Sequence, residues 1–241
     1  MYDLTLTTWL IIIVAILLFA ISKGGFMGSF GMLSVPLMSL VISPTLAAAL
    51  LLPLLICADM VNFTIWRKQM PQGQIIPLCI YATIGVVVAT IVARYLSEDI
   101  LRLIIGIISI IFALNGLFNK GRFSLNFWGR GAAGATSGFT SYMAHAGGPP
   151  FIIWAFNQTF TVTQIQALSA IYFTYVNLIK VPGYVINGFF TKEALLISLY
   201  VVPIVPIGVL LGRYLHHKVK GQSFYIIVYI GLLIAGIKLC F

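Results

Sequence analysis

Apolar stretches long enough to cross a hydrocarbon core of about 30 Å recur along nearly the whole chain, separated by short polar loops. Read from the N-terminus, they predict a broken element over 7–42, interrupted between Lys23 and Gly31, then helices at 45–66, 74–96 and 100–118. A polar, basic linker follows at 119–129. After it the order repeats, with a broken element over 130–157, interrupted between His145 and Pro150, and helices at 163–186, 193–215 and 222–240. Residues 1–118 are thus read as a first repeat and 130–241 as a second. Local identities support this: Gly25-Phe26 and Pro36 return as Gly138-Phe139 and Pro149 at an offset of 113, and Val61-Asn62 returns as Val176-Asn177 at 115.

Composition narrows the class. Only 8% of 241 residues are charged while 61% are hydrophobic, which describes an integral membrane protein and leaves no room for a soluble catalytic domain. The first apolar run, Trp9 to Ile21, has no basic segment before it and ends in Ser22-Lys23-Gly24-Gly25, so it reads as retained structure and not as a signal peptide. Cys57, Cys79 and Cys240 stand singly, as packing residues.

The net charge of +9 calls for no nucleic-acid partner, because the basic residues are scattered through the loops. Arg67 and Lys68, the linker's Lys120, Arg122 and Arg130, and the late loop's Arg213, Lys218 and Lys220 all fall on the cytoplasmic side if the second broken element enters the membrane and returns. Each half is then a hairpin plus three spans, and an odd number of crossings inverts the second half. Both termini come out external, with Lys238 the one residue against. The expected fold is an all-α integral membrane protein of two inverted repeats, each a re-entrant helical hairpin plus three transmembrane helices, multi-pass in the inner cell membrane.

Interrupted helices at matching positions of two halves are the signature of secondary transporters, and non-helical backbone at membrane depth is tolerated only against protein or a water-filled cavity. In Gly147-Gly148-Pro149-Pro150 the proline suits the first turn of a new half-helix, whose free N–H groups face the break. Ser34-Val35-Pro36 is expected to do the same in the first half, with Ser34 as the cap. Two such N-termini aimed at one point make an anion site. Against it stands the reading that these residues only allow close helix packing.

Asp59 and Asn62 share one face of 45–66, and Thr174, Asn177 and Lys180 continue the equivalent face of 163–186. Polar faces in lipid spans point inward. Lys180 and Lys23 either snorkel to the interface or supply a cation to the cavity. Asp59 and His145 are the candidates for ion coupling, Asp59 being alternatively the partner of a buried cation. Glu98, Asp99 and Glu193 lie at loop edges. The candidate binding set is Gly28, Gly31, Ser34, Asn62, His145, Gly147, Gly148, Pro149, Asn177 and Lys180. No paired carboxylates, metal-binding helix, nucleophile elbow or phosphate loop occurs, so no enzyme chemistry, metal or cofactor is called for.

Gly25-Phe26-Met27-Gly28-Ser29-Phe30-Gly31 with Pro36, and Gly134-Ala135-Thr136-Ser137-Gly138-Phe139 running into His145-Ala146-Gly147-Gly148-Pro149-Pro150, resemble the paired glycine-rich motifs of the TauE/SafE sulfite exporter family of membrane permeases. The first motif departs from the pattern, with Met32-Leu33-Ser34-Val35 where a Gly-Gly-Gly run is common. The resemblance implies export from the cytoplasm of sulfite, organosulfonates or related small carboxylates. The partners expected are a small anion and the lipid bilayer, with a homodimer left open. The alternative is a channel-like or accessory membrane protein whose glycine and proline breaks serve helix packing.

Overall fold

The computed structural model of the chain describes residues 5–28, 30–69, 71, 75–118, 127–216, 218 and 222–241. Ser29, Lys220 and most of the expected linker, with Lys120 and Arg122, lie outside them. The described residues form eleven α-helices: α1 (Leu6–Gly25), α2 (Ser34–Met38), α3 (Pro44–Trp66), α4 (Ile76–Ala93), α5 (Glu98–Phe118), α6 (Phe127–Ala144), α7 (Gly148–Phe156), α8 (Val162–Ile186), α9 (Lys192–Val201), α10 (Ile204–His216) and α11 (Gln222–Cys240). Hydroxyl caps start several of them. The Ser43 hydroxyl accepts from the Leu46 N–H with Pro44 in the first turn of α3, and Thr161 with Gln164 closes a reciprocal capping box on α8.

Helices α1, α3, α4 and α5 are each long and apolar enough to cross a membrane. Ile84, Val88, Ile107, Leu210 and Ile234 stand exposed around the outside, an apolar surface that suits lipid. The protein is a multi-pass membrane protein. The single helix expected at 193–215 is instead two, α9 and α10, meeting at 51°. Pro203 explains this, since it has no N–H to give and its ring clashes with the carbonyl one turn back.

Packing between the halves is reciprocal. Helix α1 lies on α10, and α4 on α6, while α3 crosses α8 and α5 lies on α11. The first two pairs touch backbone to backbone. A methyl group on Gly24, Gly25 or Gly212 would overlap a carbonyl across the α1–α10 contact, and one on Gly85 or Gly138 would do so across α4–α6.

The chain turns at both expected breaks, with a left-handed residue at each. The Ser22 carbonyl accepts from the N–H groups of Phe26 (2.9 Å) and Gly28 (3.2 Å), with Met27 left-handed at φ 55°. At the second break the Ala146 N–H reaches the Thr140 carbonyl at 3.1 Å and the His145 N–H the Ser141 carbonyl at 3.1 Å, with His145 left-handed at φ 50°. A non-glycine residue holds the left-handed position that ends the helix each time, and at the second break its own N–H bonds back into the helix.

The two left-handed residues, Met27 and His145, stand 118 residues apart, as do the bonded pair Asp59 and Asn177. Residues matched at the 113 offset hold different places in their helices, since Gly25 ends α1 while Gly138 lies inside α6. Both are small because another backbone passes them, at different heights in their helices. The expected cap is corrected. Ser34 donates its hydroxyl to the Ala15 carbonyl at 2.8 Å, clipping the returning segment alongside α1. Helix α2 is only five residues long, preceded by a tight turn at Gly31–Leu33, and offers no half-helix dipole comparable to that of the nine-residue α7.

Candidate functional site

The two breaks come together at a small cavity lined by Phe19, Lys23, Gly28, Gly31, Leu55, Ser141, His145, Gly148, Phe173 and Asn177. Its free volume of about 20 Å³ holds roughly one water. The breaks nearly touch, since a methyl group on Gly148 would stand 3.3 Å from the Gly28 carbonyl oxygen.

Around the cavity each break is held by the opposite half. The Met27 N–H donates to Gln166 Oε1 of α8 at 2.7 Å, and Gln166 Nε2 donates to the Lys23 carbonyl at 2.8 Å. At the second break, His145 Nε2 lies 2.9 Å from the Ala48 carbonyl of α3. A ring nitrogen facing a carbonyl must carry the hydrogen, so His145 Nδ1 is the acceptor, and Lys180 Nζ stands 2.8 Å from it. One turn away, Trp66 of α3 donates to the Gly24 carbonyl at 3.3 Å and Tyr184 of α8 to the Tyr142 carbonyl at 2.9 Å.

Charge is unevenly partnered here. Lys23 donates to Asp59 Oδ1 at 2.5 Å, and Asp59 Oδ2 accepts from Asn177 Nδ2 at 2.6 Å, so this carboxylate is fully engaged. The Lys23 ammonium also sits 4.6 Å above the Phe173 ring, which faces the cavity. Lys180 is fully buried, and its three partners are the Ser141 carbonyl (3.1 Å), the Ser141 hydroxyl (3.2 Å) and His145 Nδ1. No carboxylate of the described residues is within ion-pair distance of it. A lysine ammonium has three hydrogens and no lone pair, and three acceptors match it.

A family model described as sulfite exporter TauE/SafE matches residues 12–239. The chain belongs to the TauE/SafE family. No curated protein and no solved structure matches it significantly.

Of the residues expected at the site of this TauE/SafE chain, Gly28, Gly31, His145, Gly148 and Asn177 line the cavity. Ser34 does not, being tied to Ala15. Gly147 faces α6, where a side chain would press on Ser137 and Ser141, and Pro149 sits in the first turn of α7. Asn62 is buried beside Gln166, with its Nδ2 left without a partner, an unspent donor worth about 1–3 kcal/mol if satisfied. Lys180 neither snorkels nor touches the cavity; it stands one layer behind Ser141 and His145. Lys23 is the lysine on the wall, with Asp59 as its buried partner.

Sequence reasoning missed Gln166, Ser141 and Phe173. Gln166 left a signal, a polar residue inside the span at 163–186, of the kind that faces inward in lipid. A second, wider cavity of about 500 Å³ lies toward Thr45, Arg94, Glu98, Asn187 and Glu193. Ala48, Tyr142, Met143 and Phe189 line the narrow gap near it, and Ala48 is the residue whose carbonyl holds His145.

Proposed function

We propose that the chain is a secondary permease that exports small sulfur-containing anions, such as sulfite or organosulfonates, from the cytoplasm through the cavity between the two breaks. The observation that carries this is the buried Lys180 ammonium, which has only neutral partners and stands one residue from the cavity. Burying an unpaired charge is expensive, and an anion in the cavity, one layer away beyond Ser141 and His145, offsets it through space. Lys23, Asn177 and the first turn of α7 add donors on the wall.

The two halves are read as inverted repeats, each a re-entrant hairpin with three spans. The reciprocal packing of α1 on α10 and α4 on α6, and the reciprocal anchoring of Met27 by α8 and His145 by α3, support that reading. In this arrangement the 119–129 linker is cytoplasmic and the wide cavity near Asn187 and Glu193 faces outward as the exit. A cysteine at position 120, in a background lacking the native cysteines, is then shielded from an impermeant reagent in intact cells. Labelling from outside removes the inversion.

The packing-only alternative is favoured by one observation, that Gly24, Gly25 and Gly138 are filled by facing backbone. Proteoliposomes containing the purified protein decide between the two. Saturable, gradient-driven flux of labelled sulfite or a sulfonate is expected. No flux with any oxyanion leaves the protein an accessory component.

A further inference from the structure

The charges around the cavity add up to a small number. Lys23 contributes one positive charge and Asp59, at 2.5 Å, one negative. Asp59 spends its second oxygen on Asn177. Lys180, when protonated, contributes a further positive charge with no carboxylate of the described residues at ion-pair distance, and its partners Ser141 and His145 are neutral, the histidine held as its Nε2–H form by the Ala48 carbonyl. Those are the charged and titratable groups that meet at the cavity from α1, α3, α6 and α8. With both lysines protonated and Asp59 ionised, these side chains sum to one net positive charge.

We propose that the site is charge-matched to a single negative charge. It takes singly charged oxyanions of the hydrogensulfite or alkanesulfonate type and rejects fixed dianions of similar size. Asp59 sets this limit. It cancels the one lysine on the cavity wall, so that of two buried cations only the charge of Lys180 is left for the ligand. A monoanion brings the sum to zero, whereas a dianion leaves one negative charge buried without a partner. The inference rests on the anion-permease reading and deepens it by naming the charge class of the substrate.

The geometry also says how each lysine acts. Lys23 meets the anion directly, with the Phe173 ring beneath its ammonium. Lys180 acts through Ser141 and His145, whose neutral donors and acceptors it orients, and is a positioning and charge-compensating residue.

Methanesulfonate and sulfate test this, because each keeps one charge state over the working pH range and they are close in size. Calorimetric titration into the purified protein at matched ionic strength is the measurement. Melting temperatures are unsuitable, since sulfate stabilises folded proteins without binding a site. The wild-type protein is expected to bind methanesulfonate, with sulfate about a hundredfold weaker, the factor set by one additional unpaired buried charge. In Asp59→Asn the site gains a positive charge, and the preference is expected to shift toward sulfate by about the same factor. The double variant Lys23→Met/Asp59→Asn restores the net charge of one, and with it the wild-type order of preference, with weaker binding overall.

If Asp59→Asn does not fold, the wild-type ratio and the double variant still decide. Equal binding of sulfate and methanesulfonate by the wild type overturns the charge match and leaves the permease reading standing. An unchanged ratio in Asp59→Asn overturns the assignment to Asp59. A wild-type protein that binds neither probe, nor sulfite, overturns the permease reading itself and this inference with it.

Discussion

At Met27 and again at His145 the chain leaves a long helix through a left-handed turn, but the first turn is clamped by a side chain and the second clamps itself. Gln166 reaches across from α8 and takes both the Met27 N–H and the Lys23 carbonyl. At the second break the residue in the left-handed position is itself the polar one, and His145 spends one ring nitrogen on a carbonyl of α3 and the other on Lys180. The first break is thus a scaffolded edge that presents a paired lysine. The second break carries its chemistry in the turn. A left-handed conformation costs a non-glycine residue about 1–2 kcal/mol, and only at the second break does the side chain return it through bonds at the site.

The largest effect that bears on this comparison is expected from Gln166→Leu. It orphans two buried backbone groups at about 1–3 kcal/mol each, and thermal unfolding in detergent reads the loss. Unfolding at the parent temperature means that α8 does not clamp the first break. Next comes Lys180→Gln, for which methanesulfonate binding or flux falls by about a hundredfold while expression is kept. Lys180→Arg also loses activity, because a planar guanidinium does not fit the three acceptors that surround an ammonium. Parent-like transport in both variants makes the second break no more than a packed turn.

Gly148→Ala sets a methyl 3.3 Å from the Gly28 carbonyl, so the two breaks are pushed apart at a cost of about 1 kcal/mol. Flux drops more than stability does, as comparison of transport with melting shows. The contrast of two glycine variants separates the two turns most cleanly. Met27→Gly relieves the left-handed strain and keeps the N–H that Gln166 holds, but loses the packing of a buried methionine side chain, so a net destabilisation of about 1–3 kcal/mol is expected. His145→Gly relieves the same strain but loses both ring contacts, and is expected to be the less stable of the pair. Equal melting shifts erase the distinction.

Much of the architecture was legible because apolar block length and interruption are strong signals. The runs that became α1, α3, α4 and α5 and the breaks before Gly31 and at His145 stood out in the sequence, as did a polar face holding Asp59, Asn62, Asn177 and Lys180. The way the two breaks meet was less legible, for a physical reason. Glycines recur where backbones touch, so identical residues such as Gly25 and Gly138 mark similar contacts, one at the end of α1 and one inside α6. Residues that bond between α3 and α8 differ in type, as Asp59 and Asn177 do. Pro203 was visible, but prolines inside α3 and α8 are accommodated without a break, so a proline alone did not announce the bend. Which lysine faces the cavity depends on the order of layers, with Ser141 and His145 in front of Lys180, and no spacing rule carries that.

The backbone contact of α1 with α10 also sets a schedule for biosynthesis. Helix α1 leaves the ribosome early, yet the carbonyls that pack against Gly24 and Gly25 belong to residues 209 and 212. At roughly 5–20 residues per second, α1 waits on the order of ten to forty seconds for its partner. During that interval its glycine face has to rest against lipid or an insertion factor, and Lys23 can find Asp59 long before either finds α8. Neither half can therefore mature alone: a ribosome stalled after residue 118 leaves behind a set of helices whose closest neighbours have not yet been made.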